Sequence, residues 1–188
     1  LDWFGFLPGK RESRRFIGQH VLSENDILAA QRFDDTIAFG GWSLDTHPPE
    51  GVDAVDLPPC NQPQPPHLYD IPLRSCVSRD VDNLMFAGRN ISATHVGFSS
   101  TRVMATCAVI GQGVGTAAAF GALHGHAATE LSSDAKAMHA IQQRLLRDDA
   151  FLIGCANSDD TDVAGKATIS ASSECSGGEA TNVVSGQT

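Results

Sequence analysis

Residues 108–122 read AVIGQGVGTAAAFGA, an apolar run with glycines at every second position, followed by small residues. Gly113, Gly115 and Ala118 formally match the G-x-G-x-x-G/A fingerprint of a loop that cradles a dinucleotide pyrophosphate. The same letters also suit a helix that needs small residues for close packing. The choice decides the fold, because one interpretation predicts a strand–loop–helix unit and the other a continuous helix.

The residues around this stretch favour the helix. Apolar residues recur at helical spacing through the glycines, at Val103, Cys107, Ile110, Val114 and Ala118. A Rossmann unit needs a second strand that ends at an acid, but the residues before Glu130 read HGHAAT, without a β-branched or aromatic run. Each glycine inside a helix costs about 1 kcal/mol relative to alanine, so several of them indicate close packing. A nicotinamide-binding Rossmann domain built on Gly113–Ala118 is the alternative.

Two further helices and three strands are predicted from local patterns. Ser23 followed by Asp26 resembles a capping box that opens a helix over 23–33. The second helix covers 134–147, and its apolar side consists of Ala137, Met138, Ile141 and Leu145. Strand-like composition occurs in the segments 34–46, 69–78 and 83–89.

Composition shifts divide the chain into three parts. Residues 1–80 contain a proline-rich loop at 47–67, where regular structure is not expected because proline removes backbone donors. Residues 81–156 hold the glycine-rich helix and the helix after it. Residues 157–188 change to Ser, Thr, Gly and Asp, which is typical of a linker followed by strand-and-turn material.

Bulk properties exclude several classes of function. The net charge of −9 over 188 residues disfavours non-specific nucleic-acid binding. No apolar run approaches the roughly 20 residues that span a bilayer, so no membrane span is predicted. The five cysteines have no metal-like spacing and no metal site is predicted, while a Cys155–Cys175 disulfide is left open. The chain has no signal peptide and no initiator Met, so we expect a piece of a longer protein.

A helix start is predicted at Ser99–Arg102, upstream of the glycines. Ser99, Ser100 and Thr101 are residue types that cap helices. A helix N-terminus has free backbone N–H groups and a partial positive charge, which stabilise an anionic group or an electron-rich carbonyl. This end of the helix is therefore a better candidate for a ligand contact than the glycines are.

These motifs together resemble a known family. The patterns DVDNLMFAGRNISATHV at 80–96, SSTRVMAT at 99–106 and GQGVGTAAA at 111–119 are similar to the C-terminal part of FAD-dependent oxidoreductases. The resemblance, over roughly residues 9–150, points to the glutathione-reductase-like flavoprotein group and, more distantly, to fumarate reductase and succinate dehydrogenase flavoproteins. It implies an α/β fold: the closing strand and helix of an FAD-binding Rossmann-like domain, part of a substrate domain, and a Ser/Gly-rich β-type tail.

The resemblance also implies a cofactor, a partner and cofactor-binding residues. FAD would contact Ala87 and Gly88 beside its ribityl and pyrophosphate portion, and the backbone at Arg102, Val103 and Met104 beside the flavin ring. Arg89 stands where related flavoproteins often have an acid, and Thr101 completes the cofactor-binding set. The pyrophosphate fingerprint of such proteins lies upstream, so the remainder of the FAD domain is the expected partner. These 188 residues alone are expected to bind FAD poorly and to be inactive.

Two residues are catalytic candidates. His95 is a candidate acid/base, because an imidazole titrates near neutral pH, and the alternative is a structural histidine. Arg74 is a candidate for orienting an anionic or hydroxylated substrate, with Tyr69 beside it. The alternative for Arg74 is an ion pair with Asp80 or Asp82.

Further side chains are candidates for lining the ligand site. We favour contact of the Arg102 side chain with cofactor or substrate over a role in flanking the helix start. His47 and Trp42 suit the substrate side, although packing at a strand end is the alternative. Arg11, Arg14 and Arg15 form a basic group for which a solvated face is favoured over phosphate binding.

The last segment, ISASSECSGGEATNVVSGQT, resembles the opening strand of discoidin-like carbohydrate-binding β-sandwich modules. The sequence thus predicts a flavin-dependent oxidoreductase that transfers hydride from a small organic, carbohydrate-related substrate to FAD. A non-catalytic carbohydrate- or ligand-binding protein on the same scaffold is the alternative. Oligomeric state and compartment stay open: secretion or the periplasm would fit a carbohydrate-binding tail, and the cytoplasm would fit its absence.

Overall fold

The computed structural model describes residues 2–6, 12 and 14–185. Its helices are α1 (Glu24–Leu28), α2 (His95–Thr101), α3 (Met104–His124), α4 (Ala128–Leu131), α5 (Ala135–Arg147) and α6 (Asn182–Ser185). Its strands are β1 (Thr36–Gly40) and β2 (Tyr69–Pro72), and short 3-10 turns cover Gly51–Asp53, Leu73–Ser75 and Ala164–Lys166. The fold is mixed helix and strand, consistent with the predicted α/β class.

The two strands form the centre of the packing. β1 and β2 pair antiparallel, with Ala38 opposite Ile71 and Gly40 opposite Tyr69, and the register is irregular between Thr36 and Ala38. Both strands are almost fully buried, because α3 and α5 pack against β1. The strands are shorter than the predicted segments, since the chain turns into a 3-10 helix after Pro72 and becomes irregular after Gly40.

The glycine-rich stretch lies within one continuous helix, as the periodicity predicts. α3 runs unbroken through Gly111, Gly113 and Gly115. On the side toward β1, a Cβ atom added at Gly113 would lie 2.5 Å from the Ile37 carbonyl oxygen, so only glycine allows this approach. The alternative of a nicotinamide-binding phosphate loop at Gly113–Ala118 is therefore wrong. The buried face is partly as expected: Ile110 and Val114 are buried, whereas Ala118 is exposed.

The sequence predicts no membrane span, but α3 has the length and the apolar composition of a spanning helix. Its 21 residues include a window with mean hydropathy 1.4, and among the described residues it is the one helix that meets the length and composition of a spanning segment. Core helices of globular domains pass the same test. Here α3 packs against β1, α4 and α5.

The helix termini show where local patterns were sufficient. The capping box of α1 forms, with the Ser23 side chain accepting from the Asp26 N–H and the Asp26 carboxylate accepting from the Ser23 N–H. α1 nevertheless ends at Leu28, and Ala30 adopts the left-handed region with φ +46°. α5 matches its predicted bounds, with Asp134 as its cap and its predicted apolar side buried.

Three predictions from residue 83 onward are wrong. The helix after the polar loop does not begin at Ser99–Arg102: these residues close α2, which begins at His95 and is capped by Thr94. Residues 83–89 do not form a strand. Met85 makes an isolated bridge to Val77, and no other described segment pairs with these residues.

The tail is the third correction. Described residues 157–185 contain no strand, only a 3-10 turn, the short helix α6 and an isolated bridge between Cys175 and Gly178. This stretch has no second strand to pair with, so its β-type composition does not produce a sheet. All five cysteines are free thiols, and the Cys155–Cys175 disulfide is not formed.

Candidate functional site

Two features meet where α2 ends and α3 begins. Arg102 closes α2, Val103 is extended with φ −68° and ψ 148°, and Met104 opens α3. On one side of this break lies a polar cleft, and on the other lies the N-terminus of a 21-residue helix. The junction thus brings a polar ligand site and a positive helix end together.

The polar cleft, hereafter the His95 cleft, has a volume of about 210 Å³. It is lined by Glu12, Asp45, Thr46, His47, His95, Phe98, Ser99 and Arg102. The structure therefore brings together three residues that the sequence analysis singled out, His95, His47 and Arg102. Trp42 and Arg74 do not line it.

The His95 ring is oriented to act as a base in this cleft. It is the first residue of α2, held there because the Thr94 hydroxyl accepts from the Gly97 N–H and donates to Glu24. Its ring is 64% exposed, and Nδ1 lies 3.0 Å from a carboxylate oxygen of Glu12. An ionised carboxylate only accepts hydrogen bonds, so the proton of the neutral ring resides on Nδ1 and Nε2 keeps its lone pair.

Asp45 connects most of the remaining polar groups of the cleft. Its carboxylate accepts from Arg102 Nη2 at 2.8 Å and from Gln62 Nε2 at 3.0 Å, and it lies 3.6 Å from His47 Nε2. The hydrogen bond from Gln62, followed by the charges of His47 and Arg102, lowers the pKa of Asp45. His47 in turn directs Nδ1 to the Pro59 carbonyl oxygen, at 2.9 Å.

The Arg102 side chain is engaged within the protein. Besides the Asp45 carboxylate, it donates to the Asp45 carbonyl oxygen at 3.2 Å and to the Ser99 carbonyl oxygen at 3.3 Å. Only 15% of this side chain is exposed. The sequence favours direct contact of the Arg102 guanidinium with cofactor or substrate. In the structure the guanidinium instead links the end of α2 to the segment after β1.

Arg74 makes an ion pair, but with a different partner from the two predicted. It forms a two-pronged bond with the buried Asp35, at 3.0 and 3.1 Å, while Asp80 pairs with Arg79. Tyr69 is also inside the core: its hydroxyl lies 2.6 Å from Ser100 Oγ, which donates to the Trp42 carbonyl oxygen. Burial raises the pKa of Tyr69 to about 12.

The N-terminus of α3 has the properties that an anionic ring edge needs. Val103 provides no side-chain cap, so the first N–H groups of the helix lack the partner that a capping residue supplies, and Met104 is 88% exposed. A helix of this length carries a partial positive charge at that end. Thr101, by contrast, is fully buried with its hydroxyl bonded to the Phe98 carbonyl, so its side chain faces no ligand.

The turn at 87–89 presents little steric bulk. Ala87 and Arg89 are exposed, and Gly88 adopts φ +87°, a conformation that favours glycine, with open space at its Cβ position. Burial raises the pKa of the Cys107 thiol, and the charge of Arg89 acts against that rise. Backbone donors, a small-residue turn and a cation fit the ring and phosphate-bearing portions of a flavin dinucleotide.

A comparison with known proteins identifies the family of the chain. The family model for FAD dependent oxidoreductase matches residues 1–145. The chain therefore belongs to the FAD-dependent oxidoreductase family, and FAD is its cofactor. No curated protein and no solved structure matches the chain.

Sequence reasoning missed two acids of the cleft. Glu12 is 83 residues from His95, and Asp45 is 57 residues from Arg102. No local spacing connects either acid to its partner in the cleft, because each pair joins distant parts of the chain. Among the residues that the structure describes, no group of three His, Cys, Asp or Glu side chains is arranged to hold a metal ion.

Proposed function

We propose that this protein oxidises a small organic substrate bound in the His95 cleft, with hydride transfer to FAD and proton transfer to His95. The observation that carries the proposal is the carboxylate–histidine pair of Glu12 and His95, at 3.0 Å, beside the uncapped start of α3. FAD supplies the two-electron chemistry when it is bound, accepting a hydride from carbon.

The role of His95 follows from the electron balance of the reaction. When an alcohol becomes a carbonyl compound, its carbon loses a hydride and its oxygen loses a proton. Nε2 of His95 has a free lone pair when Nδ1 donates to Glu12, so it accepts that proton. The imidazolium formed is stabilised by the negative charge of Glu12.

The residues around α3 serve the cofactor in this proposal. The first backbone N–H groups of α3, at Met104 and beyond, would hold the electron-rich edge of the flavin ring. Ala87, Gly88 and Arg89 would hold the remaining portion of FAD, and the exposure of Ala87 and Arg89 and the open space beside Gly88 support this role.

The rest of the FAD-binding domain belongs to the proposal as well. We propose a Rossmann-like unit of the glutathione-reductase-like group, contributed by the chain upstream, that meets the open outer face of α3. The exposure of Gly111 and Gly115, with no atom within 4 Å of their Cβ positions, supports a close approach there. Carbohydrate-related substrates are proposed because the cleft is lined by hydrogen-bonding groups.

The test is substrate-driven bleaching of bound flavin in the FAD-loaded holoenzyme, compared between wild type and His95→Asn. Removing a general base lowers the rate by about 10²- to 10⁴-fold. The matched control is His139→Asn, since His139 is exposed on α5 and does not line the cleft. Equal bleaching rates in His95→Asn and wild type, at equal FAD occupancy, would contradict the proposal.

A further inference from the structure

We propose that Asp45 makes the His95 cleft selective for uncharged hydroxylated substrates and against carboxylates. This inference rests on the proposed function, because it names the substrate class of the same cleft. It departs from the simplest expectation for a cleft that contains an arginine, which is recognition of an anion.

The arginine of the cleft is already neutralised. Arg102 places Nη2 at 2.8 Å from the Asp45 carboxylate and 3.2 Å from the Asp45 carbonyl oxygen, and Nε at 3.3 Å from Ser99. With 15% of its side chain exposed, it has little freedom to turn toward a ligand. A substrate carboxylate would have to displace Asp45 to gain the two-pronged contact that arginine offers.

The charge around the cleft also disfavours an anionic ligand. Two carboxylates, Glu12 and Asp45, line it together with one guanidinium. Arg15 pairs with Glu12 and donates to the Ala93 carbonyl oxygen, but it does not line the cleft. An incoming anion therefore approaches two carboxylates, and among the described residues no free arginine or lysine lines the cleft to bind it.

The cleft also supplies hydrogen-bond acceptors. Asp45 is 18% exposed and has lone pairs beyond those used by Arg102 and Gln62. Ser99 donates its hydroxyl proton to the Val96 carbonyl oxygen, at 2.6 Å, which leaves its oxygen as an acceptor. Acceptors of this kind bind substrate O–H groups, which are donors, whereas a carboxylate has no proton to donate.

The experiment compares two ligands that differ in a single group, lactate and propane-1,2-diol. Dissociation constants are measured by chemical-shift titration of the cleft resonances in wild type and Asp45→Asn. Wild type is expected to bind the diol more tightly. Asp45→Asn releases Arg102 and removes a negative charge, so we expect the lactate-to-diol affinity ratio to rise by about tenfold or more.

The matched control is Asp80→Asn, which breaks the exposed Arg79–Asp80 pair outside the cleft and should leave the ratio unchanged. If Asp45→Asn fails to fold, Arg102→Gln replaces it, with Asp45 intact, and no gain in lactate affinity is expected. Tighter binding of lactate than of the diol by wild type, or an unchanged ratio in folded Asp45→Asn, would overturn the proposal.

The titration does not depend on hydride transfer, so the two proposals fail separately. A shifted ratio in Asp45→Asn together with full bleaching in His95→Asn would reject the function and keep the charge selectivity. An unchanged ratio together with lost bleaching in His95→Asn would do the reverse.

Discussion

The two faces of α3 contain the same kinds of residue but have opposite surroundings. Gly113 lies on the inner face, which also holds Thr106, Ile110, Val114, Ala117 and Gly121 and packs in the core. Gly111 and Gly115 lie on the outer face, with open space around them. A glycine in a helix makes the close approach of another element possible, whereas the tertiary structure decides whether an element packs there.

The inner face of α3 stabilises the fold, whereas the outer face and the helix N-terminus are available for binding. The inner face holds α3 on β1 and fixes the position of the helix, and with it the N-terminus at Met104. The outer face and that N-terminus contribute little to the core, because their side chains are small or exposed. Changes on the inner face should therefore unfold the protein, and changes outside should alter binding without loss of stability.

The largest effect is expected for Ile110→Ala. Ile110 is fully buried on the inner face, and removal of a buried isoleucine side chain costs about 2–5 kcal/mol of the free energy of unfolding. Urea denaturation followed by circular dichroism measures the loss. Met104→Ala, at a position 88% exposed, is the control and should change little. Equal losses in the two variants would remove the distinction between the faces.

A second variant tests the glycines themselves. In Gly113→Ala the added methyl meets the Ile37 backbone, and such overpacking costs about 1–3 kcal/mol. Gly115→Ala is the matched control: no atom lies within 4 Å of its Cβ position, so the helix should gain up to about 1 kcal/mol. Both values come from guanidinium midpoints. Stabilisation by Gly113→Ala would contradict the packing of α3 on β1.

The pH dependence of Tyr69 tests how well the inner side excludes water. Tyr69 is the single tyrosine of the chain, so tyrosinate absorbance reports on it alone. Burial raises its pKa from 10.0 to about 12, and its contribution to stability is therefore complete below pH 10 and is lost as the pH rises toward 12. The native protein should titrate near 12 and the urea-unfolded chain near 10. Native titration near 10 would show a solvated site.

The smallest effect is expected away from α3, at Asp45 in the His95 cleft. The hydrogen bond from Gln62 and the charges of His47 and Arg102 lower its pKa below 3.8. Its contribution to stability is present above the unfolded pKa and is lost as the pH falls through the folded one. Acid unfolding should therefore have a shallower pH slope in Asp45→Asn than in wild type. An identical slope would mean that these partners do not act on Asp45 in solution.

The sequence predicted the structure correctly where the interacting residues are close together in the chain. The capping box at Ser23 and the apolar side of α5 involve residues within one or two turns, so their spacing along the chain determines their geometry. The start of α2 was missed because Ser99, Ser100 and Thr101 look like caps. Their hydroxyls instead donate to carbonyl oxygens inside the fold, and Thr94 caps the helix.

The sequence by itself determined that α3 is a continuous helix, because its apolar period passes through the glycines without interruption. It also identified His95 and the residues around Met104 as candidates, since their motifs are contiguous. Only the tertiary structure decided that Arg102 bonds to Asp45, that Glu12 faces His95 and that Arg74 pairs with Asp35. Those pairs join residues far apart in the chain, and their geometry depends on how β1, β2 and α2 pack.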